Sequence, residues 1–228
     1  MDRYFPPPDQ EGGWRTRDSL EVGMNAQKLD ETFEFIQGST KNGGLAVVKD
    51  GWLIYERYFG KGHREMAPNQ GSCGKSFTSI AMGVLLDEMP DRFPDGLDQK
   101  VFTPDYLPEK AFPLLDPKMS EIKLGHLLTM AAGIRGNNPG CVNGEEVVLD
   151  PVGPDGWQGM ADHYALGIRD GDMNGVRFTT KSLWCEPGGG YSYATASIHI
   201  VSIIVRHLTG MELQDYVAEK VAKPLGWG

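Results

Sequence analysis

Hydrophobic positions in the first sixty residues predict a helix followed by a hairpin. Apolar side chains recur every three or four residues between positions 25 and 36, which is the spacing of one helix face. Two β-branched and aromatic runs follow at 44–48 and 52–58, with an Asp-Gly dipeptide between them. These runs predict two antiparallel strands joined by a tight turn.

Beyond Gly71 the hydrophobic period becomes helical. Apolar side chains at helical spacing predict a helix that ends near Glu88, and a short helix that follows Ser120. The same spacing predicts two further helices at 194–208 and 213–221. The chain therefore continues as a mainly helical region after the hairpin.

Three stretches lack a hydrophobic period. The first sixteen residues, residues 90–118 and residues 136–160 are rich in proline, glycine and turn dipeptides. We expect an irregular N-terminal arm and two long segments without regular structure. Long irregular segments in compact domains are often functional.

Charge and hydropathy exclude several classes of protein. The formal net charge is −9 and the isoelectric point is near 5.0, whereas a nucleic-acid surface needs clustered Lys and Arg. No apolar run approaches the roughly eighteen residues of a spanning helix, and the N-terminus has no apolar signal region. We therefore expect a cytoplasmic protein with neither a nucleic-acid nor a membrane partner.

The cysteines and histidines show no metal-binding pattern. The three cysteines, Cys73, Cys141 and Cys185, form no C-x-x-C pair, and no H-E-x-x-H run occurs. We expect free thiols and no metal site.

The segment 71–78 carries an S-x-x-K motif at the start of an apolar helix. Residues three apart share a helix face, so the Lys75 amine can approach the Ser72 hydroxyl. A serine hydroxyl becomes a good nucleophile when a neighbour takes its proton, and burial beside apolar groups favours the uncharged, basic form of lysine. The spacing predicts a nucleophile and its activating partner.

Other readings of these motifs are weaker. Ser120 and Lys123 also fit S-x-x-K, but Ser120 is positioned to be a helix N-cap and Lys123 to be a solvated side chain. A phosphate-binding loop ending at 74–76 would need glycine at position 69, where the chain has Asn69.

The run from Gly71 to Thr78 resembles the nucleophile helix of the serine β-lactamase and penicillin-binding-protein superfamily. The similarity is to class C β-lactamases, family VIII carboxylesterases and nylon-oligomer hydrolases. The resemblance implies a second motif, a tyrosine after Pro-Gly at the start of another helix. Tyr193 fits this position in Tyr-Ala-Thr, and Tyr191 is the alternative. We expect a turn at Tyr193 that sends the two rings in different directions.

Further runs extend the resemblance over residues 25–227, in the order of the family. The hairpin at 45–56 resembles the start of the family's sheet, and 126–133 resembles its H-L-L-T run. Lys223–Trp227 resembles the Pro-Leu-Gly that follows the tyrosine motif.

Two departures bear on function. Thr195 occupies the place of an asparagine whose amide binds substrate in β-lactamases, which favours an esterase or amidase branch. The family's third motif, K-x-G or H-x-G on a late strand, does not follow the tyrosine. Lys41–Gly43 has the right letters but precedes the nucleophile. We expect the closing strands of the family to lie beyond Gly228.

The resemblance implies an α/β (α+β) fold, with helices on an antiparallel sheet and a second, helical lobe. We expect an arm at 1–20 and a β-lactamase-related domain at 21–228, in which 21–66 contributes the sheet and 67–228 the helical lobe.

The resemblance also implies a serine hydrolase for small ester or amide substrates that needs no cofactor. Ser72, Lys75 and Tyr193 would be catalytic, and Thr195 would contact the substrate. Trp157 is a further candidate for substrate contact, because it lies in the long irregular stretch at 136–160. Two alternatives remain: a penicillin-binding or peptidoglycan-sensing module that acylates without turnover, and an inactive truncated fragment. Oligomeric state is left open.

Overall fold

A computed structural model describes residues 4, 6–7, 11–136, 140–149, 156–168 and 182–227, with the backbone alone for 156–160. The chain divides into two compact units. The first unit comprises Met1–Gly71 and Ala222–Gly228, and the second comprises Ser72–Val221.

A hairpin forms the sheet of the first unit. Strands β1 (Gly43–Lys49) and β2 (Trp52–Phe59) are antiparallel, and Asp50 and Gly51 have φ values of 52° and 76° at the turn. Two successive positive φ values are typical of a two-residue hairpin loop, which Asp-Gly accommodates at little cost. The predicted hairpin is confirmed.

Helix α1 (Ala26–Ser39) packs on this hairpin. Its first turn is capped by Asn25, whose side-chain oxygen accepts the Lys28 N–H at 3.1 Å. Phe33, on the buried face, meets Phe59 of β2 edge to face with ring centroids 5.7 Å apart. The predicted helix is confirmed and continues for about one more turn.

Part of the N-terminal arm pairs with the sheet. The Arg15 carbonyl accepts the Leu53 N–H at 3.0 Å, and the Arg17 N–H donates to the Leu53 carbonyl at 3.3 Å. The Arg15 guanidinium also lies 4.0 Å from the ring centroid of Tyr4 and 4.3 Å from that of Trp52. Residues 12–19 are otherwise without helix or strand, as expected for an irregular arm, and the bridge between Thr16 and Leu53 joins segments too far apart in the chain to leave a local pattern.

Two long helices are packed together in the second unit. They are α2 (Gly74–Glu88) and α5 (Thr195–Thr209). Eight of the fifteen residues of α5 are buried, as in a helix that is apolar around most of its circumference. Helix α2 buries Ala81, Met82 and Leu85. Both predicted helices are confirmed.

Shorter elements surround these two helices. Three are α-helices and one is a π-helical turn: α3 (Leu124–Leu128), α4 (Gly156–Ala165), α6 (Leu213–Val217) and Ala218–Ala222. The segment expected to lack regular structure contains 3-10 turns, which are Pro90–Arg92, Gly96–Asp98, Glu109–Ala111 and Pro117–Glu121. Such short turns carry no long hydrophobic period, so the sequence pattern does not reveal them.

A second hairpin contradicts the expectation of an irregular stretch at 136–160. Strands β3 (Gly140–Val142) and β4 (Glu145–Val147) are antiparallel, and helix α4 begins within the same stretch. The turn residues Asn143 and Gly144 have φ values of 51° and 84°. Asn-Gly is a strong hairpin signal, which the surrounding glycine and proline residues obscured.

Candidate active site

The start of α2 brings Ser72 and Lys75 into contact. Gly71–Cys73 forms a 3-10 turn that leads directly into α2, so the two side chains lie on one continuous helical path. Lys75 Nζ donates a hydrogen bond to Ser72 Oγ at 2.9 Å. Ser72 is exposed and Lys75 is half-buried. The serine hydroxyl is thus accessible while it contacts an amine.

Tyr193 completes a hydrogen-bonded set with these two residues. Its phenolic oxygen is hydrogen-bonded to both Ser72 and Lys75, and Lys75 Nζ lies 5.2 Å from the ring centroid. The hydrogen bond with Ser72 lowers the pKa of Tyr193 below its ordinary value of 10.0. The hydrogen bond and charge of Lys75 lower this pKa further, and partial desolvation opposes both. Three groups that can exchange protons therefore meet at one point.

The two candidate tyrosines lie on the same side of their segment. Tyr191 is 45% exposed and Tyr193 is half-buried, whereas Ser192 and Ala194 are fully buried. This alternation is that of an extended chain, and it continues through Ala194, the N-cap of α5. The expected turn at Tyr193 is wrong, because the helix begins only at Thr195. Tyr193 is nevertheless the tyrosine that contacts Ser72.

Hydrogen bonds on both sides hold residues 191–194, which we call the tyrosine segment. The buried Ser192 Oγ accepts the Gly136 N–H at 3.0 Å, and the Ser192 N–H donates to the Met130 carbonyl at 3.3 Å. Tyr191 exchanges two backbone hydrogen bonds with Cys141 of β3, at 2.7 and 2.8 Å. These bonds fix the backbone immediately before Tyr193.

Residues 183–188, which precede the tyrosine segment, are hydrogen-bonded in part to the loop that follows α3. The Trp184 N–H donates to the Gly133 carbonyl at 2.9 Å, and the Gly188 N–H donates to the Ala131 carbonyl at 2.7 Å. The buried Asp116 carboxylate also accepts the Leu183 N–H at 2.9 Å. Ala131 and Gly133 belong to the run at 126–133 that resembles the family's H-L-L-T segment. Their carbonyl oxygens accept the hydrogen bonds that hold the backbone leading to Tyr193.

Gly136 leaves no space for a side chain next to Tyr193. A Cβ at this position would lie 2.2 Å from the Tyr193 carbonyl oxygen and 2.7 Å from the Ala194 nitrogen. Because both atoms belong to the backbone, no rotamer change could relieve the contact. Glycine at 136 therefore permits the close approach that positions the tyrosine segment.

The second S-x-x-K match forms no comparable pair. Ser120 Oγ donates to the Pro117 carbonyl at 2.7 Å within a 3-10 turn, and Lys123 Nζ forms an ion pair with Asp98 at 2.7 Å. The predicted N-cap role of Ser120 is wrong, since Lys123 occupies the N-cap of α3.

Of the two predicted substrate-contacting residues, the structure describes the side chain of Thr195 alone. Thr195 is the first residue of α5 and is half-buried. Among the described residues, its hydroxyl has no hydrogen bond to Ser72, Lys75 or Tyr193. Trp157 lies on α4, and its side chain is outside the described residues.

Sequence reasoning missed the hairpin and its pairing with the tyrosine segment. The Asn-Gly turn would have revealed β3 and β4, but nothing local indicates that Cys141 pairs with Tyr191 fifty residues away. Such long-range pairing is decided by tertiary packing.

The described part of the chain contains neither a metal-binding cluster nor a helix that could span a membrane. In the ranges given above, no three His, Cys, Asp or Glu side chains are close enough to hold a metal ion, and no helix has the length and hydropathy to cross a membrane. Cys73, Cys141 and Cys185 are free thiols, as predicted.

Comparison with solved structures identifies related folds. One is described as "putative beta-lactamase" from Bacteroides dorei DSM 17855, with a TM-score of 0.58, 18% identity and coverage of 89% of this chain and 52% of the other. A second is described as "putative 6-aminohexanoate-dimer hydrolase" from Bacillus anthracis, with a TM-score of 0.53, 20% identity and coverage of 95% and 54%. The structure of SurE with D-Leu gives a TM-score of 0.53, 17% identity and coverage of 88% and 40%.

The chain thus spans about half the length of the first two solved structures. No curated protein matches it significantly. The β-lactamase family, in contrast, matches residues 25–227, almost the whole chain. The predicted mixture of helices and small antiparallel sheets is confirmed. This protein therefore belongs to the β-lactamase family and has the fold of the serine β-lactamase and penicillin-binding-protein superfamily.

Proposed function

We propose that this chain is a serine hydrolase that transfers the acyl group of a small ester or amide first to Ser72 and then to water. The observation that carries the proposal is the hydrogen-bonded set of Ser72, Lys75 and Tyr193. An exposed hydroxyl in contact with two proton-exchanging groups has the chemistry of an activated nucleophile.

Acylation begins when Ser72 Oγ attacks the substrate carbonyl carbon. The hydroxyl proton passes to the shared site of Lys75 and Tyr193, and the carbonyl oxygen becomes an oxyanion. The backbone N–H of Ser72 is a donor for this oxyanion. When the intermediate collapses, the leaving alcohol or amine takes the proton from the same pair, and an acyl-enzyme remains.

Deacylation repeats these steps with water as the nucleophile. Lys75 and Tyr193 accept a proton from the attacking water, and the Ser72 oxygen recovers a proton as the carboxylic acid leaves. Because the two side chains contact each other, the proton belongs to the pair rather than to one residue. The reaction requires no cofactor.

The substrate range follows from Thr195 and from the family. An asparagine amide has a donor nitrogen and a separate acceptor oxygen, whereas a threonine hydroxyl has both functions on one atom. Because this substitution removes the amide that binds substrate in β-lactamases, we expect short esters and small amides to be better substrates than cephalosporins. One similar structure carries the description of a 6-aminohexanoate-dimer hydrolase, which favours the same branch. In this proposal Thr195 and Trp157 contribute to substrate binding.

The test compares p-nitrophenyl butyrate with nitrocefin. We expect turnover of the ester with a higher kcat/KM than for nitrocefin, and its loss in Ser72→Ala. Ser76→Ala, which removes another exposed hydroxyl one turn along α2, is the matched control and should retain activity. A burst without turnover would favour the penicillin-binding alternative. No acylation of the wild-type chain, or acylation that survives Ser72→Ala, would contradict the proposal.

A further inference from the structure

One carboxylate is buried in the second unit and contacts the backbone that leads to Tyr193. Asp116 is 7% exposed, and no other aspartate or glutamate in the described ranges is buried. A carboxylate loses its hydration on burial, which costs free energy unless hydrogen bonds replace the lost water. The partners of Asp116 therefore indicate why a charged group occupies this position.

The two oxygens of Asp116 bind backbone segments that are far apart in the chain. Oδ1 accepts the Lys118 N–H at 2.9 Å and caps the 3-10 turn Pro117–Glu121. Oδ2 accepts the Leu183 N–H at 2.9 Å, from a residue 67 positions along the chain. An asparagine has only one acceptor oxygen, and its amide nitrogen would face the other N–H. The geometry requires two acceptors, which a carboxylate provides.

Trp184, the residue after Leu183, extends this constraint toward the tyrosine segment. Its Cη2 lies against the backbone of Gly190 and of Gly140, where a Cβ would be only 2.5 and 3.3 Å away. The indole nitrogen is buried and has no hydrogen-bond partner among the described residues. The position of the ring therefore depends on packing and on the backbone of Leu183 and Trp184.

The indole supports two paired segments at once. Gly190 precedes Tyr191 and Gly140 precedes Cys141, and these two following residues exchange backbone hydrogen bonds. A shift of the indole would therefore move both segments together. Tyr193 lies three residues after Gly190, at the end of the extended stretch, and would move with them.

We propose that Asp116 is a positioning residue for the set of Ser72, Lys75 and Tyr193, and that it acts on Tyr193 through Trp184. The inference rests on the proposed function, in which Tyr193 exchanges protons with the nucleophile. The hydrogen bonds of Asp116 go to backbone N–H groups, so its role is to hold the tyrosine in place rather than to take part in the chemistry.

The first test is an NMR titration of ¹³Cζ-labelled tyrosine in Asp116→Asn, which requires no substrate. Hydrogen bonds with Ser72 and Lys75 lower the pKa of Tyr193, so displacement of its ring should raise this pKa toward 10.0. Asp116→Ala removes both acceptors and should raise the pKa at least as much. An unchanged Tyr193 pKa in both variants would overturn the inference.

Tyr216→Phe is the control for a general loss of stability. It removes the hydrogen bond between the buried Tyr216 hydroxyl and Glu88, the last residue of α2, at 2.8 Å. This bond lies at the opposite end of α2 from Ser72, so the Tyr193 pKa should stay at its wild-type value. An equal rise of the pKa in Tyr216→Phe and Asp116→Asn would show general loosening and contradict a specific role of Asp116.

The second test measures acylation of Ser72 by p-nitrophenyl butyrate in stopped flow. A displacement of about 1 Å can slow a reaction by about 10²-fold, so we expect Asp116→Asn to lower the maximal acylation rate by up to this factor. The ester concentration that gives half the maximal rate should change little, because Asp116 is buried. A smaller amplitude at an unchanged rate would indicate a loss of folded protein and would overturn the inference.

The third test examines the link through the indole. Trp184→Phe removes the ring atom that contacts Gly190 and should also raise the Tyr193 pKa. If Asp116 acts through Trp184, the double variant should raise the pKa no further than the more effective single variant. Additive effects of the two substitutions would contradict this link.

The outcomes distinguish this inference from the proposed function. If the wild-type chain is not acylated at Ser72, the proposed function fails and the Tyr193 titration alone decides. A raised pKa in Asp116→Asn, with no change in Tyr216→Phe, would then support the positioning role. If Asp116→Asn and Asp116→Ala acylate at the wild-type rate with an unchanged Tyr193 pKa, the inference fails and the proposed function stands.

Discussion

At the scale of single residues, the site depends on contacts among three groups that are unreactive when they are separated. A serine hydroxyl, a lysine amine and a phenol have little reactivity toward esters in water, but here Ser72, Lys75 and Tyr193 share hydrogen bonds. The contacts with Ser72 and Lys75 make it easier for the Tyr193 phenol to lose its proton. Because Tyr193 contacts both other residues, its substitution affects the whole set.

Substitution of Tyr193 by phenylalanine should slow acylation by roughly 10² to 10⁴, the usual contribution of a positioned acid–base group. Substrate binding should change little, because the ring remains. Tyr191→Phe is the matched control and should acylate at a rate close to that of the wild-type chain. Stopped-flow acylation by p-nitrophenyl butyrate measures both, and a larger loss for Tyr191→Phe would assign the relay to Tyr191.

The pKa of Tyr193 provides a test that requires no substrate. Its hydrogen bonds to Ser72 and Lys75 favour the phenolate, so Tyr193 should ionise at a lower pH than free tyrosine, whose pKa is 10.0. Ser72→Ala removes the larger of these effects and should raise the pKa of Tyr193. NMR titration of ¹³Cζ-labelled tyrosine measures this, with Tyr193→Phe used for assignment. An unchanged pKa in Ser72→Ala would show that the hydrogen bond is absent in solution.

At the scale of elements, the tyrosine segment depends on backbone contacts with distant loops. The loop after α3 supplies the carbonyls of Met130, Ala131 and Gly133, and β3 supplies Cys141. None of these contacts requires a particular side chain, but each requires the loop to approach closely. Gly136 approaches the Tyr193 backbone so closely that a Cβ would lie 2.2 Å from the Tyr193 carbonyl oxygen.

Gly136→Ala should therefore displace the tyrosine segment. The new Cβ would overlap backbone atoms, so we expect a loss of about 1–3 kcal/mol in the free energy of unfolding and slower acylation of Ser72. Gly83→Ala is the control: it lies within α2 with no atom within 4 Å of its Cβ position, and should stabilise the protein by about 0.5–1 kcal/mol. Urea unfolding measures both. Equal stability of the two variants would contradict the close approach at Gly136.

Elements with a strong local signal could be predicted from the sequence, whereas contacts between distant segments could not. The Asp-Gly hairpin, α2 and α5 follow from hydrophobic period and turn chemistry. The pairing of Ser72 with Lys75 follows from helical spacing. The alternation that places Tyr191 beside Tyr193 depends on β3, whose position is set by tertiary packing.

At the scale of the whole molecule, the three central residues all belong to the second unit, Ser72–Val221. The chain as a whole spans about half the length of the first two similar solved structures. A reagent that reacts with an activated serine tests the hydrogen-bonded set in this chain itself.

The most direct measurement is covalent labelling of the full chain by a fluorophosphonate, followed by peptide mass spectrometry. We predict a single adduct on the peptide that contains Ser72, formed more slowly in Lys75→Met and absent in Ser72→Ala. Ser76→Ala, on the same peptide, should label like the wild-type chain. Labelling that persists unchanged in Ser72→Ala, or that occurs on another peptide, would contradict the assignment of Ser72 as the nucleophile.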